Sequence, residues 1–250
     1  MSQQSTPANL HVRDAAPPWA GQRWYRPPYV GTNIVFFDWI RSVLRPTDTV
    51  LDAGAGPGLG EEVLRLRGEA AKVCGIDIDK AVLGNTFLDE AHVVRGYEWP
   101  YPDATFDLVL SAYVLEHIED PRAYLAEARR VLRPGGACFF RTVNALHPGT
   151  VVARWLPLAA WRWLIQRLDP NAAAAPDPYP AYWRANSPSR LTRLLRASGF
   201  RRIDLRSREE PPSYLAGLGP VALVGVLWER VANRCDVLSS VRITLYGCAR

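Results

Sequence analysis

The chain has 250 residues, 48% of them hydrophobic and 22% charged, with a formal net charge of +5. That length suits one α/β domain with insertions and is short for two independent cores. The positive charge comes from arginines spread over the second half with no Lys-rich block, which argues against nucleic acid as a partner, and no apolar run reaches the roughly 18 residues of a membrane-spanning helix.

The opening "MSQQSTPANLHVRDAAPPWAGQ" has neither a basic start nor an apolar segment. It reads as a mobile tail over residues 1–30 rather than a secretion signal, and a cytoplasmic location is expected. From Asn33, Ile34, Phe37, Ile40, Val43 and Leu44 recur at helical spacing until Pro46 stops the pattern. "TVLDAG" (49–54) is a buried-strand run, "LGEEVLRLRG" (59–68) a helix, and "KVCGIDID" (72–79) a second strand ending on acids. "AHVVRG" and "FDLVLSA" (106–112) continue as strands, "DPRAYLAEARRVLRPGG" (120–136) as a helix with an Asp cap and a Gly stop, and "ACFFRTV" (137–143) as a strand. Such alternation predicts a mostly parallel sheet with helices on both faces.

After Asn144 the texture changes. Trp, Pro and Ala dominate up to about residue 186, and a second irregular apolar segment covers about 208–240. Both read as insertions into one domain spanning 31–250. Between them a helix, "SPSRLTRLLRASGF", and a strand at 200–207 restore the rhythm, and "VRITLYGCA" closes the chain as a strand. Cys74, Cys138, Cys235 and Cys248 lack CxxC spacing, so reduced and mostly buried thiols are expected, and no metal-ligand pattern is present.

In "VLDAGAGPG" (50–58) a strand ends on an acid and drops into three glycines at alternating positions. Glycines between a strand end and a helix let a ligand approach the backbone, at the edge of an open sheet where ligands bind. The dinucleotide pattern GxGxxG needs glycine at its sixth position, but counting from Gly54 gives Leu59 and from Gly56 gives Glu61. The dehydrogenase pattern fails on both registers, and a nicotinamide oxidoreductase is kept only as a rival reading. Asp52 would repel a pyrophosphate and suits a cation. At the end of the next strand Asp77 is placed to accept two ribose hydroxyl hydrogen bonds.

"VLDAGAGPG", "GIDID" and "WPYPDATFDLVLSAYVLEHIEDPRAYLAEARRVLRPGG" together resemble the ordered motifs of class I S-adenosylmethionine (SAM)-dependent methyltransferases, especially the type 11 small-molecule group, over roughly residues 48–143. The resemblance implies a Rossmann-like α/β fold with a seven-stranded, mostly parallel sheet whose last strand, near Ile243–Cys248, is antiparallel. It also implies SAM as cofactor, with Asp52, Gly54, Gly56 and Gly58 around its methionine portion, Asp77 on the ribose and Ile78 against adenine. Ser111 and Tyr113 close the same site at the end of the fourth strand. Relatives carry a Gly-Asp-Ala turn after the third strand, but this chain reads "VVRGYEWPYP", leaving Tyr97 or Glu98 to meet the adenine amino group.

A sulfonium is already electrophilic, so methyl transfer needs alignment of the acceptor and, for a hydroxyl, a base. His117 and His147 follow the fourth and fifth strands and are the two candidates; a helix-packing role for the first and a solvated loop for the second are the plain alternatives. The place where enzymes methylating nucleic-acid amines carry Asn/Asp-Pro-Pro-Tyr reads "SAYVLEH". A small-molecule acceptor, with hydroxyl oxygen the target, is the expectation. Residues 151–168, with Trp161, Leu164, Ile165 and Leu168 on one helical face, and residues 218–231 suit either a lid of extra core or peripheral contact with the inner face of a membrane. A noncatalytic SAM-binding protein docked to a membrane is the remaining rival.

Overall fold

The protein is described here by a computed structural model covering residues 31–58, 65–155, 179–211 and 220–250. The expected tail 1–30, most of the helix expected at 59–68, and the Trp161, Leu164, Ile165 and Leu168 face lie outside these residues.

Helix α1 (Thr32–Arg41) inserts Phe36, Phe37 and Ile40 into the core. Its last turn tightens before Pro46, where the N–H groups of Val43 and Leu44 both donate to the Ile40 carbonyl. Five strands follow: β1 (Thr49–Ala53), β2 (Lys72–Asp77), β3 (Glu90–Val93), β4 (Phe106–Ala112) and β5 (Leu132–Val143). Each neighbouring pair among them runs parallel. With β6 (Ile203–Arg208) and β7 (Thr244–Ala249) they make one seven-stranded sheet in the order β3-β2-β1-β4-β5-β7-β6. Beside β6 and β7, Arg202 N–H donates to the Arg250 carbonyl and Arg250 N–H returns a bond to Arg202, the reciprocal pair of antiparallel strands. The sheet is thus mixed and mostly parallel, as expected.

Helix α2 (Pro121–Val131) begins where the Asp120 side chain accepts from the N–H groups of Arg122 and Ala123. It buries Tyr124, Leu125, Ala128 and Val131 at helical spacing. The sequence predicted this helix to continue to Gly136; it stops at Val131 and β5 starts at once. Pro134 is the cause: it lacks an N–H and would clash with the Arg130 carbonyl, and it drives Arg133 out of the helical region, so the helix cannot continue and Leu132 is already extended at φ −76° and ψ 132°. Helix α3 (Pro148–Trp155) follows β5, α4 (Pro188–Ala197) packs Leu191, Leu194 and Leu195 inward, and α5 (Pro220–Arg234) precedes β7. The expected last strand from Val241 is shorter, because Asp236–Val241 forms a 3-10 turn.

The described residues divide into two compact units. One contains residues 36–144, 181–206 and 245–250, with a core of Leu51, Val109, Leu125, Phe140, Leu195 and Phe200. The other gathers the described parts of 1–35, 145–180 and 207–244. All four cysteines are free thiols; Cys74, Cys138 and Cys248 are buried, and burial pushes the Cys138 thiol up to about 12, which makes it unreactive.

Candidate active site

Strands β1 and β4 are neighbours, yet the chain leaves them in opposite directions along the sheet, toward β2 and toward β5. In an open parallel sheet such a reversal opens a crevice at the carboxyl ends of the strands. Asp52, Gly54, Asp77, Ser111 and Tyr113 all sit at those ends.

The glycine loop is held from two sides. The N–H groups of Gly54 and Ala55 donate to the Ile76 carbonyl, and Gly56 N–H donates to Asp77 Oδ2 at 2.8 Å. From the opposite side Asn85 Nδ2 donates to the carbonyls of Ala55 at 3.1 Å and Gly56 at 3.2 Å. Asn85 is itself fixed, since its Oδ1 accepts from Phe87 N–H. A Cβ on Gly54 would lie 2.2 Å from Val114 Cγ2, and one on Gly58 would lie 2.2 Å from Asn85 Oδ1. Gly56 differs: its φ is +53°, and a Cβ there would meet nothing within 4 Å among the described residues. The loop packs against protein at Gly54 and Gly58 and presents a bare backbone at Gly56.

Two carboxylates end the adjoining strands, and one of them, Asp77, bonds that backbone. Asp52 sits in β1 between Gly75 of β2 and Leu110 of β4. Burial, followed by repulsion from Asp77, pushes its carboxyl up to about 7. Asp77 accepts from Gly56 N–H with one oxygen and from Asp79 N–H with the other, at 2.8 Å each. Each carboxylate oxygen can accept a second bond, so capacity for hydroxyl donors remains. Ile78 is 61% exposed beside it, an apolar surface at the crevice edge.

Ser111 is buried, and its Oγ accepts from Tyr124 Oη at 3.0 Å. Burial raises the Tyr124 phenol, which keeps it a donor, and it also reaches the Ala53 carbonyl at 3.2 Å, tying α2 to the ends of β1 and β4. Tyr113 has φ +59°, which is costly for a residue with a Cβ, and its ring is 39% exposed. The Arg141 guanidinium lies 4.2 Å from the centre of that ring and donates to its phenol oxygen, while Tyr113 N–H donates to the Arg141 carbonyl. Tyr97 accepts from Asp120 N–H through its phenol oxygen at 2.8 Å, which places it at the start of α2, and Glu98 is exposed.

The two histidines stand in different settings. His117 ends the short 3-10 turn Leu115–His117 and is half-buried. His147 is 1% exposed; its Nδ1 accepts from Gly149 N–H and its Nε2 faces Glu209 Oε1 at 3.1 Å. With Nδ1 accepting, the ring proton is assigned to Nε2.

Sequence reasoning did not single out Asn85, Tyr124 or Arg141, nor the buried chain Glu116–Thr142–Asn186. There Thr142 Oγ1 donates to Glu116 Oε2 at 2.7 Å and accepts from Asn186 Nδ2 at 2.6 Å. The Glu116 carbonyl also accepts from the N–H groups of Tyr182 and Trp183, fastening that segment beside β4 and β5.

The family model described as a methyltransferase domain matches residues 51–140. The ubiquinone biosynthesis O-methyltransferase of Paraburkholderia xenovorans is 30% identical over 199 residues, 74% of this chain and 80% of that protein. This chain belongs to the class I SAM-dependent methyltransferases of type 11. A second relative, the ubiquinone biosynthesis O-methyltransferase of Pseudomonas putida strain W619, is 35% identical over 106 residues; the match spans 38% of this chain and 44% of the relative, less than half its length. A SAM-dependent methyltransferase from Archaeoglobus fulgidus shares the fold at TM-score 0.56 and 16% identity, over 87% of this chain and 92% of that one. Family membership sets the nicotinamide oxidoreductase reading aside, in line with the glycine spacing.

The residues of this methyltransferase fit SAM, which supplies a methyl group on a sulfonium. Asp52 and Asp77 would suit a ligand carrying positive charge and ribose hydroxyls, the Gly56 backbone would allow its close approach, and exposed Ile78 would offer a surface for an aromatic base.

Proposed function

We propose that this methyltransferase transfers the methyl group of SAM to a hydroxyl oxygen of an amphiphilic small molecule. The observation that carries the reading is the interacting pair Asp52 and Asp77 at the ends of β1 and β2, with Asp77 bonded to the Gly56 backbone. Asp52 attracts the cationic end of the cofactor, Asp77 holds the ribose, and Gly54 and Gly58 keep the loop in place. Two relatives named O-methyltransferases support oxygen as the target, and the apolar content of residues 145–186 and 208–240 supports an amphiphilic acceptor.

We assign the base role to His117, which is half-buried beyond β4, on the side where the crevice opens. His147 is buried, with Nδ1 accepting from Gly149 N–H and Nε2 3.1 Å from Glu209, and is assigned a positioning role within its own unit. Tyr113, presented by a strained backbone and held by Arg141, is assigned to the acceptor wall.

The test is calorimetry with SAM and with NAD, followed by transfer of labelled methyl from SAM to a panel of phenols, sugar alcohols and amines with and without alkyl tails. The reading expects SAM binding, no NAD binding, and label in hydroxyl acceptors bearing tails. Label appearing only in amines, or SAM binding without transfer to any acceptor, would overturn the assignment of oxygen or of catalysis.

A further inference from the structure

Helix α5 has two unlike sides. Val226, Glu229 and Ala232 are 3%, 6% and 0% exposed and face inward. Leu223, Val224, Leu227 and Val231 are 46%, 66%, 63% and 47% exposed. At 100° per residue these four share an arc of about 100°. Single exposed hydrophobic residues are ordinary on a protein surface, but four contiguous ones on one helix face mark a contact site.

The charges on α5 identify what the face meets. Arg234 falls on the same arc and Arg230 about 20° beyond its edge, both toward the C-terminal end. Glu229, the one acidic residue of the helix, lies on the opposite side, where it accepts from Asn233 Nδ2 and burial raises its carboxyl. The outward face is therefore apolar and purely cationic. Two copies of the chain meeting through this face would each bring further cations to a protein whose net charge is +5, whereas anionic headgroups would complement them. The helix has 15 residues, about 22 Å of rise against the roughly 30 Å of a bilayer core, and among the described residues no helix is long and apolar enough to cross.

We infer that the outer face of α5 docks on an anionic lipid surface, with Leu223, Val224, Leu227 and Val231 in the interface and Arg230 and Arg234 at headgroup level. Helix α3, in the same unit, has the same character, with Trp155 85% and Val152 57% exposed next to Arg154. The inference stands apart from the choice of acceptor and of catalytic base.

Co-sedimentation of the full chain with vesicles of phosphatidylcholine alone and of phosphatidylcholine mixed with phosphatidylglycerol tests it. Binding is expected only to the mixed vesicles and is lost at high salt. The double variant Leu223→Ser, Leu227→Ser should bind at least tenfold more weakly, and Arg234→Gln about fivefold more weakly. Both should melt at the parent's temperature and bind SAM as the parent does. Equal binding by parent and double variant overturns the inference, as does a parent that ignores anionic vesicles. A lower melting temperature of the double variant would show that the chain itself covers this face. A parent dimer that the double variant splits, seen by sedimentation, would give the face to a second copy.

Discussion

Asp77 Oδ2 accepts the N–H of Gly56 at 2.8 Å, so the acid that ends β2 shapes the glycine loop that ends β1. One carboxylate thereby fixes the loop, and in the proposed reading its remaining acceptor capacity holds the ribose. Replacing Asp77 with Ala should weaken SAM binding by about 1–3 kcal/mol, since charged hydrogen bonds to ligand and loop are lost together. Asp77→Asn keeps one acceptor oxygen and should fall between the two. Calorimetry on folded variants checks the order; an unchanged dissociation constant for Asp77→Ala would remove this residue from the site.

Asn85 allows a sharper test because its amide is used in both directions, donating to two loop carbonyls and accepting from Phe87. Asn85→Asp preserves shape but points an oxygen at the carbonyls of Ala55 and Gly56. It should weaken SAM binding more than Asn85→Ala does, with melting temperatures falling in the same order. If the aspartate variant binds as well as the parent, the loop does not depend on this clamp.

Gly54 and Gly56 should separate stability from binding. A Cβ at Gly54 overlaps Val114 at φ +91°, so Gly54→Ala should cost at least about 1–3 kcal/mol of stability through overpacking. At Gly56 the Cβ enters open space, so Gly56→Ala should cost only the left-handed backbone penalty, roughly 1–2 kcal/mol, while excluding the ligand. Chemical denaturation and SAM titration of the two variants are the measurements. A Gly56→Ala protein that is folded and binds normally would show that the cofactor does not approach this backbone.

The parts of this fold that were legible in the sequence are those with a local cause. Strand runs such as "TVLDA" and "FDLVLSA" are buried because parallel strands covered on both faces must be apolar throughout, and the Asp120 cap follows from its place before Pro121. The end of α2 departs from the Gly135–Gly136 signal because Pro134, earlier along the chain, ends the helix first. Asn85 and Arg141 were invisible for a different reason. Asn85 meets the glycine loop from 29 and 30 residues away, and Arg141 meets Tyr113 across 28. Neither carries a spacing signal, since strand pairing and turn geometry create both contacts. Likewise "LEHI" reads as a motif, but the burial of Glu116 against Thr142 and Asn186 appears only when the end of β5 and a residue from beyond it are brought beside β4.

Asp52 gives the cofactor site a pH dependence whose sign follows from its cause. Its carboxyl is raised from 3.8 to about 7, because burial disfavours the anion and Asp77 repels it. In the free protein the folded state therefore holds a proton that the unfolded chain has released, and this group's contribution to stability declines as pH rises from about 4 toward about 7. A cationic ligand reverses the preference, because attraction to the sulfonium and ammonium groups favours the ionised form. SAM affinity should accordingly rise with pH up to about 7 and then level, with a limiting slope of tenfold per pH unit below that point. SAM titrations from about pH 5.5 to about pH 7.5 stay below the range where an α-amino group loses its charge, near 8. Asp52→Asn should flatten the profile and stabilise the free protein at neutral pH, while lowering affinity there. The variant is needed because other carboxylates and histidines also titrate in this range. A parent profile as flat as that of Asp52→Asn would mean that Asp52 is already ionised without ligand, or that the cationic end of the cofactor lies elsewhere.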